Sequence, residues 1–351
     1  MNIDFINNIE RLYKQTRLEK YKKYFVMYSE DITSDQVSEI LPDHVLENYK
    51  KDLNTQISEV ENIDSLNYLD RLEKSLSING KLDNSFIDYK VYNFLIMKET
   101  NETLKSILKS FKGERVVNYN FTNTTTGRLT TKSNSPNILT LPKRYRNIFA
   151  SKWKSEGSLL MVDFSSLEPR IAKKLTSKEN YIDIYEEINN LTEDNLDRSV
   201  IKRAVISTLY GSNTSLDNIS KEKTENLIRI CKEFFDYKSL IDLSKPVTEN
   251  GYRTNYFGRP LWNAGEHREN IIVNNYIQST AVDVSLSCFY EMIQNIKTDL
   301  CRPIFIIHDA IVFDVHNDEK ENFVNYVEQG YNCKKLGHFP LECTDFMETT
   351  K

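Results

Sequence analysis

The stretch RPIFIIHDAIVFDVHND (residues 302–318) is apolar from Ile304 to Phe313 except for His308 and Asp309 at its centre. Its β-branched and aromatic side chains are those of a buried strand or hairpin. A carboxylate inside such a run is costly unless something compensates its charge. Two placements relieve Asp309: the tip of a hairpin turn, which Asp tolerates, or a partner of opposite charge. His308 is either a core histidine satisfied by its neighbours or part of a site.

A second acid sits in a similar environment upstream. In LLMVDFSSLEPRIAKKLT (159–176), Leu159 to Val162 read as a short apolar strand ending near Asp163. Ser165 or Ser166 then suits the N-cap of a helix carrying Leu167, Ile171, Ala172 and Leu175. Pro169 is compatible with the first turn of that helix. Further on, DRSVIKRAVISTLYG (197–211) places Arg198, Lys202, Ile206 and Tyr210 four apart, on one helix face, with Gly211 as the C-terminal stop. Like charges at that spacing repel mildly. The face is either simply solvated or a seat for an anion.

Composition bounds the rest. With 351 residues and a net charge of -5, the chain has ample length for one to three subdomains. Gly and Pro are scarce, as in a helix-rich protein. An acidic balance argues weakly against nucleic acid, but the charge is segregated. Between residues 110 and 154, Lys112, Arg115, Arg128, Lys132, Lys143, Arg144, Arg146, Lys152 and Lys154 face Glu114 alone. Such a segment fits a phosphate-tracking surface. The five cysteines form no C-x-x-C pair, so neither a zinc site nor a disulfide framework is expected, and a reducing compartment fits. No apolar signal core opens the chain and no run of eighteen apolar residues occurs, so export and membrane insertion are not expected.

Residues 1–112 read as helices from spacings such as Ile6, Ile9, Leu12, Tyr13 and Leu66, Leu69, Leu72, Leu76, with breaks near Leu41-Pro42, Asn79-Gly80 and Lys112-Gly113. No catalytic signature lies there. NGYRTNYFGRPLW (250–262) predicts a hairpin turning near Gly258. NNYIQSTAVDVSLSCFYEMI (274–293) predicts a helix buried on its Ile277, Ala281, Val284, Cys288 side.

Taken in order, TGRLTT (126–131), DFSSLEPR (163–170), R-x3-K-x7-YG (198–211), FGR (257–259), N-x3-QSTA (274–281) and HDA (308–310) resemble the polymerase domain of family A DNA polymerases over roughly residues 115–351. The resemblance implies an α+β right-hand fold with an antiparallel palm sheet, a helical thumb and reduced helical fingers. The corresponding ranges are a thumb-like 1–112, palm 113–175, fingers 176–250 and palm 251–351. It implies a template-directed DNA polymerase extending a primer 3'-hydroxyl with dNTPs. Because the motifs begin so near the start of the chain, no 3'→5' exonuclease is expected within it.

By the same resemblance, Asp163 and Asp309 are the catalytic pair. They would hold two Mg²⁺ ions, with Mn²⁺ as a substitute and the Phe164 carbonyl as a further ligand. Arg198, Lys202, Ile206, Tyr210, Glu168 and Tyr185 would bind the dNTP, Glu168 by crowding the sugar C2' position. Arg128, Asn137, Arg170, Arg259, Gln278 and His308 would contact the primer–template. Expected partners are primer–template DNA, dNTPs and a separate exonuclease or processivity factor, with no membrane. The cytoplasm is the expected location, the host's if the source is viral.

Several positions depart from the family pattern. Ala310 follows the catalytic Asp where Glu is usual, Ile206 replaces an aromatic residue that packs on the nucleotide, and Asn270 stands where Arg is common. Pro169 is also atypical. These departures suggest a divergent, viral or plasmid-encoded enzyme. Two other readings share some features: a relative of single-subunit RNA polymerases, against which TGRLTT and Glu168 argue, and a catalytically silent primer–template binding subunit, which has no need of both acids.

Overall fold

The computed structural model describes residues 8, 11–12, 42–48, 51, 66–177, 181–192, 195–211, 220–249, 251–296 and 298–347. The helical spacing at Ile6, Ile9 and Tyr13 and the break at Leu41 lie outside the described residues. From Leu66 onward the elements are α1 (Leu66–Ser77), β1 (Phe86–Ile87), α2 (Tyr89–Lys98), α3 (Glu102–Lys109), β2 (Tyr119–Asn120), β3 (Thr130–Thr131), β4 (Phe149–Ala150) and β5 (Gly157–Phe164). Next come α4 (Leu167–Thr176), α5 (Ile184–Asn190), α6 (Arg198–Tyr210), α7 (Lys221–Phe234), α8 (Tyr237–Ser244), β6 (Arg253–Thr254), β7 (Pro260–Leu261) and α9 (Glu269–Asn295). The chain closes with β8 (Cys301–Ile307), β9 (Ala310–His316), α10 (Asn317–Glu328), β10 (Tyr331–Cys333), β11 (Gly337–Phe339) and β12 (Leu341–Asp345).

The opening stretch forms a hairpin. β8 and β9 pair antiparallel with Ile307 opposite Ala310, so His308 and Asp309 are its two-residue turn. His308 has φ 57, a conformation usually left to glycine in such turns. Pro303 sits at a register shift on β8, an edge strand, where its missing N–H disturbs the ladder least. The hairpin extends a four-stranded antiparallel sheet of order β12-β5-β9-β8. Both hairpin strands are buried on both faces, which explains the apolar runs on either side of the turn. Phe313 packs on Phe323 of α10, with ring centroids 5.1 Å apart, while Phe305 packs on Phe149 at 4.8 Å.

The predicted hairpin at 253–261 is β6–β7, turning at Gly258 with φ 91. Helix α9 is longer than predicted and buried nearly all round rather than on one side. Tyr276, Gln278, Thr280, Asp283 and Leu286 are buried together with Ile277, Ala281, Val284 and Cys288. The reason is its position: α1, α4, α6, α8 and β10 all pack against it. The architecture is therefore α+β, an antiparallel sheet against which helices are assembled, with α9 as the central helix.

Candidate active site

The two acids singled out by the sequence meet at one end of the sheet. Asp163, next to last in β5, is in register with Ala310, the residue after Asp309. Burial, and then the Asp309 carboxylate, push Asp163 up to about 7. Glu342 adds to the repulsion, while the Phe164 N–H and the Lys143 ammonium act the other way. Asp163 Oδ1 is buried and has no hydrogen-bond partner among the described residues. A divalent cation would satisfy that oxygen and remove the conflict between the acids. Hard carboxylate oxygens of this kind suit Mg²⁺, so Asp163 and Asp309 fit the expected ion. The Phe164 ring is locked among Phe289, Tyr331 and Phe339, which fixes the backbone carrying its carbonyl.

A stability prediction follows from the raised Asp163. Its ionised form opposes folding; that cost is absent below about pH 4, grows as pH rises towards 7, and is complete above it. Asp163→Asn is therefore expected to stabilise the metal-free protein at pH 8 by on the order of 2–4 kcal/mol, with the gain vanishing near pH 4. Urea unfolding in EDTA at the two pH values checks this; an equal effect at both would remove the electrostatic explanation.

Backbone strain marks both acids. His308 precedes Asp309, and Ser166, three residues after Asp163, also has φ 57. Non-glycine residues held in this region cluster at functional sites. Ser166 occupies the N-cap position of α4 but makes no capping hydrogen bond, contrary to the sequence expectation. Its left-handed backbone turns the hydroxyl to the phenol of Tyr185 instead. Pro169 falls in the first turn of α4, as expected. His308 is exposed, which rules out the core reading.

Beside Asp309 opens a cavity of about 210 Å³ lined by Arg128, Glu168, Tyr185, Lys202, Ile206, Tyr210 and His308, among others. Helices α4, α5, α6 and α9, the segment before β3 and the tip of the β8–β9 hairpin meet there. Helix α6 presents Arg198, Lys202, Ile206 and Tyr210 on its outer face; Ile201 and Ala204 are buried behind, and the buried Val205 and Leu209 border the cavity. Gly211 ends α6 with φ 66, and a side chain there would collide with Asn270. Arg198 lies over the Tyr185 ring, 4.8 Å from its centroid, and pairs with Asp183. Glu168 accepts from Arg128 Nη2 at 3.1 Å; burial raises its pKa and Arg128 partly restores it. With its amide oriented to suit its neighbours, Gln278 donates to Thr126 Oγ1 (2.8 Å) and accepts from Arg128 Nη2 (3.0 Å). Asp163, Arg198 and Gln278 do not line the cavity themselves; each acts on a residue that does.

Other expected residues fall elsewhere. Arg259 is 1% exposed and cannot reach DNA. Its Nη2 pairs with Asp283 at 2.6 Å, and Asn255 Nδ2 donates to the same carboxylate at 2.6 Å. Gly127 of the TGRLTT motif is required by this packing, since a Cβ at that position would lie 2.4 Å from the Arg259 guanidinium. Arg170 is also buried, its guanidinium committed to backbone carbonyls. Both are corrected from DNA contacts to internal groups. Asn137 is half-buried at the start of a 3-10 turn, away from the cavity lining, with its N–H donating to Ser110 Oγ at 3.1 Å. Of the basic segment, every cation except Arg146 is exposed; Arg146 stacks on Phe346.

Sequence reasoning missed Asp283, Asp183 and Glu342. Glu342 is exposed on β12 in register with Asp163, on the side opposite Ala310. Only strand pairing brings it there. Asp183 carried a recognisable signal, since it immediately precedes a helix that it caps.

The chain is similar to several known proteins. The family model described as DNA polymerase family A matches residues 6–344. "DNA polymerase I, thermostable" of Thermus thermophilus is 26% identical over 279 residues, covering 69% of this chain and 31% of that protein. The Thermus aquaticus protein of the same description is 24% identical over 258 residues, covering 63% and 30%. The chain thus spans about a third of the length of these relatives. Among solved structures, the POL domain of Pol1 from M. smegmatis, in complex with DNA primer-template and dNTP, superposes with a TM-score of 0.55. The match is 19% identical and covers 70% of this chain and 51% of that one. No helix among the described residues is long and apolar enough to cross a membrane. With the family model spanning nearly its whole length, and with the fold shared, this chain belongs to DNA polymerase family A.

Proposed function

We propose that the chain is a template-directed DNA polymerase that extends a primer 3'-hydroxyl with dNTPs. The observation that carries this reading is the cavity lined both by Asp309, whose partner acid is Asp163, and by Lys202 of the cationic face of α6. An acidic pair facing a basic helix is the charge distribution that nucleotidyl transfer needs. A metal-binding pair serves the reacting oxygens and a cationic surface takes the triphosphate. The dNTP and primer–template in the related POL domain structure support the same substrates here.

In the proposed reaction the primer 3'-hydroxyl gives up its proton to solvent, O3' bonds to the α-phosphorus as the bond to the bridging oxygen breaks, and pyrophosphate leaves. Mg²⁺ held by Asp163 and Asp309 would supply Lewis-acid activation of the 3'-hydroxyl and neutralise charge on the phosphates. Arg198 offers a planar fork of donors to the triphosphate and Lys202 a point charge. Ile206 and Tyr210 form the surface on which the nascent base pair rests. The missing aromatic ring at Ile206 weakens stacking on the incoming nucleotide. Arg128, tied to Gln278, faces the primer–template, and His308 at the hairpin tip meets the primer terminus. Residues 1–112 serve as thumb, 113–175 and 251–351 as palm, and 176–250 as fingers; the four-stranded sheet drawing on both palm stretches supports that division.

Primer extension with the purified protein and Mg²⁺, with an EDTA control and with rNTPs in place of dNTPs, tests the proposal. Extension that requires Mg²⁺ and prefers dNTPs supports it. A labelled primer incubated without dNTPs is expected to keep its length. Glu168→Ala is expected to raise rNTP use relative to dNTP use by about tenfold to a hundredfold, through relief of crowding at C2'. The ratio of kcat/KM values is the quantity to read, and an unchanged ratio would make Glu168 a partner of Arg128 only.

A further inference from the structure

Arg170, on α4, holds two parts of the molecule together through backbone oxygens. Its Nε donates to the Ser165 carbonyl at 2.7 Å, beyond the end of β5. Its other two nitrogens cross to the connection before α5: Nη1 donates to the Tyr181 carbonyl at 2.7 Å and Nη2 to the Ile182 carbonyl at 2.6 Å. The Ile182 side chain is 95% exposed, so apolar packing does not anchor this point; the guanidinium does.

The next residue is Asp183. Its Oδ1 accepts from the N–H groups of Tyr185 (2.9 Å) and Glu186 (3.2 Å), capping α5, and its Oδ2 pairs with Arg198. Tyr185 in turn lies beneath the Arg198 guanidinium and is bonded to Ser166. One continuous set of contacts thus runs from the end of the catalytic strand through Arg170 and residues 181–185 to Arg198. A lysine places its donors on one nitrogen and would not reproduce the three separate nitrogens that Arg170 uses.

We propose that Arg170 is a positioning residue: it fixes the 181–185 segment that holds Arg198, and so sets the triphosphate site relative to Asp163. The nucleotide role of Arg198 in this statement rests on the proposed polymerase function; the mechanical link does not.

The test uses Arg170→Lys, Arg170→Gln, Arg198→Ala and the Arg170→Lys, Arg198→Ala double variant, with thermal unfolding to show that each is folded. In single-nucleotide addition, Arg170→Lys is expected to raise the dNTP KM about tenfold, as for the loss of a charge-assisted hydrogen bond. Primer–template affinity should stay unchanged. The double variant should show no further rise over Arg198→Ala, because the two residues act in series. Additive effects on KM, or weakened DNA binding at unchanged KM, would overturn the proposal.

Amide hydrogen exchange over residues 181–190, without DNA or nucleotide, provides a readout that does not depend on activity. Faster exchange at Tyr185 and Glu186 in Arg170→Lys and Arg170→Gln is the expected result; unchanged protection in both would overturn the positioning role. Failure of the polymerase reading would appear separately, as a wild-type chain that extends no primer or an Arg198→Ala variant with normal KM.

Discussion

Asp309→Ala and Asp163→Ala are each expected to lower primer extension by about a thousandfold or more, the scale of several kcal/mol of lost transition-state stabilisation. Primer–template affinity should be unchanged or tighter. The reason lies in how charge is divided. The acids sit together at the end of the sheet, one with a buried oxygen that has no partner among the described residues and a pKa raised to about 7. The cations of residues 110–154 are exposed, apart from Arg146. Removing an acid subtracts from the chemistry and takes repulsion away from the DNA phosphates. Extension rates and primer–template affinity measured on the same preparations separate the two effects. Robust extension by either variant would detach the reaction from this pair.

The largest expected effect on stability lies outside the cavity. Asp283→Ala should destabilise the protein by about 3–5 kcal/mol, the usual penalty for removing one member of a buried ion pair. The carboxylate receives Arg259 Nε and Nη2 and Asn255 Nδ2, and both Asp283 and Arg259 are almost wholly buried. The guanidinium left behind would keep its desolvation cost without its counter-charge. Replacing both residues with apolar ones, as in Arg259→Met with Asp283→Leu, should be less damaging than the single change, because the cost comes from the orphaned charge. Urea unfolding of the three proteins decides this. A double variant weaker than Asp283→Ala would mean that the other contacts of Arg259, such as the Tyr68 ring at 5.1 Å, dominate.

What could be read in the sequence was what repeats or punctuates. The apolar run broken at His308 and Asp309 is a hairpin with those residues at its tip, so the hairpin and charge-partner explanations of Asp309 are both compatible with its position. Four-residue spacing placed Arg198, Lys202, Ile206 and Tyr210 on one face because a helix has only that way to arrange them. The arginines were different. Nothing in its neighbours says that Arg259 will meet Asp283, 24 positions later and on another element. Arg170 bonds to carbonyls, which leave no trace in residue type. Helix α9 looked one-sided because its helical spacing singled out Ile277, Ala281, Val284 and Cys288. Neighbouring elements in fact cover most of its length on more than one side, and Asp283, Thr280 and Gln278 find partners inside.

The measurement that bears most directly on the proposed active site is single-nucleotide addition on four primer–templates that differ only in the first unpaired template base, with each dNTP supplied in turn and Mg²⁺ present. A cavity that seats a nascent base pair between α6 and the two acids predicts that each template selects its complementary dNTP. Both Asp163→Ala and Asp309→Ala should lower addition on all four by about a thousandfold or more. Addition that ignores the template base, or that stays near the wild-type rate in those variants, would contradict the assignment of this cavity as a templated nucleotidyl-transfer site.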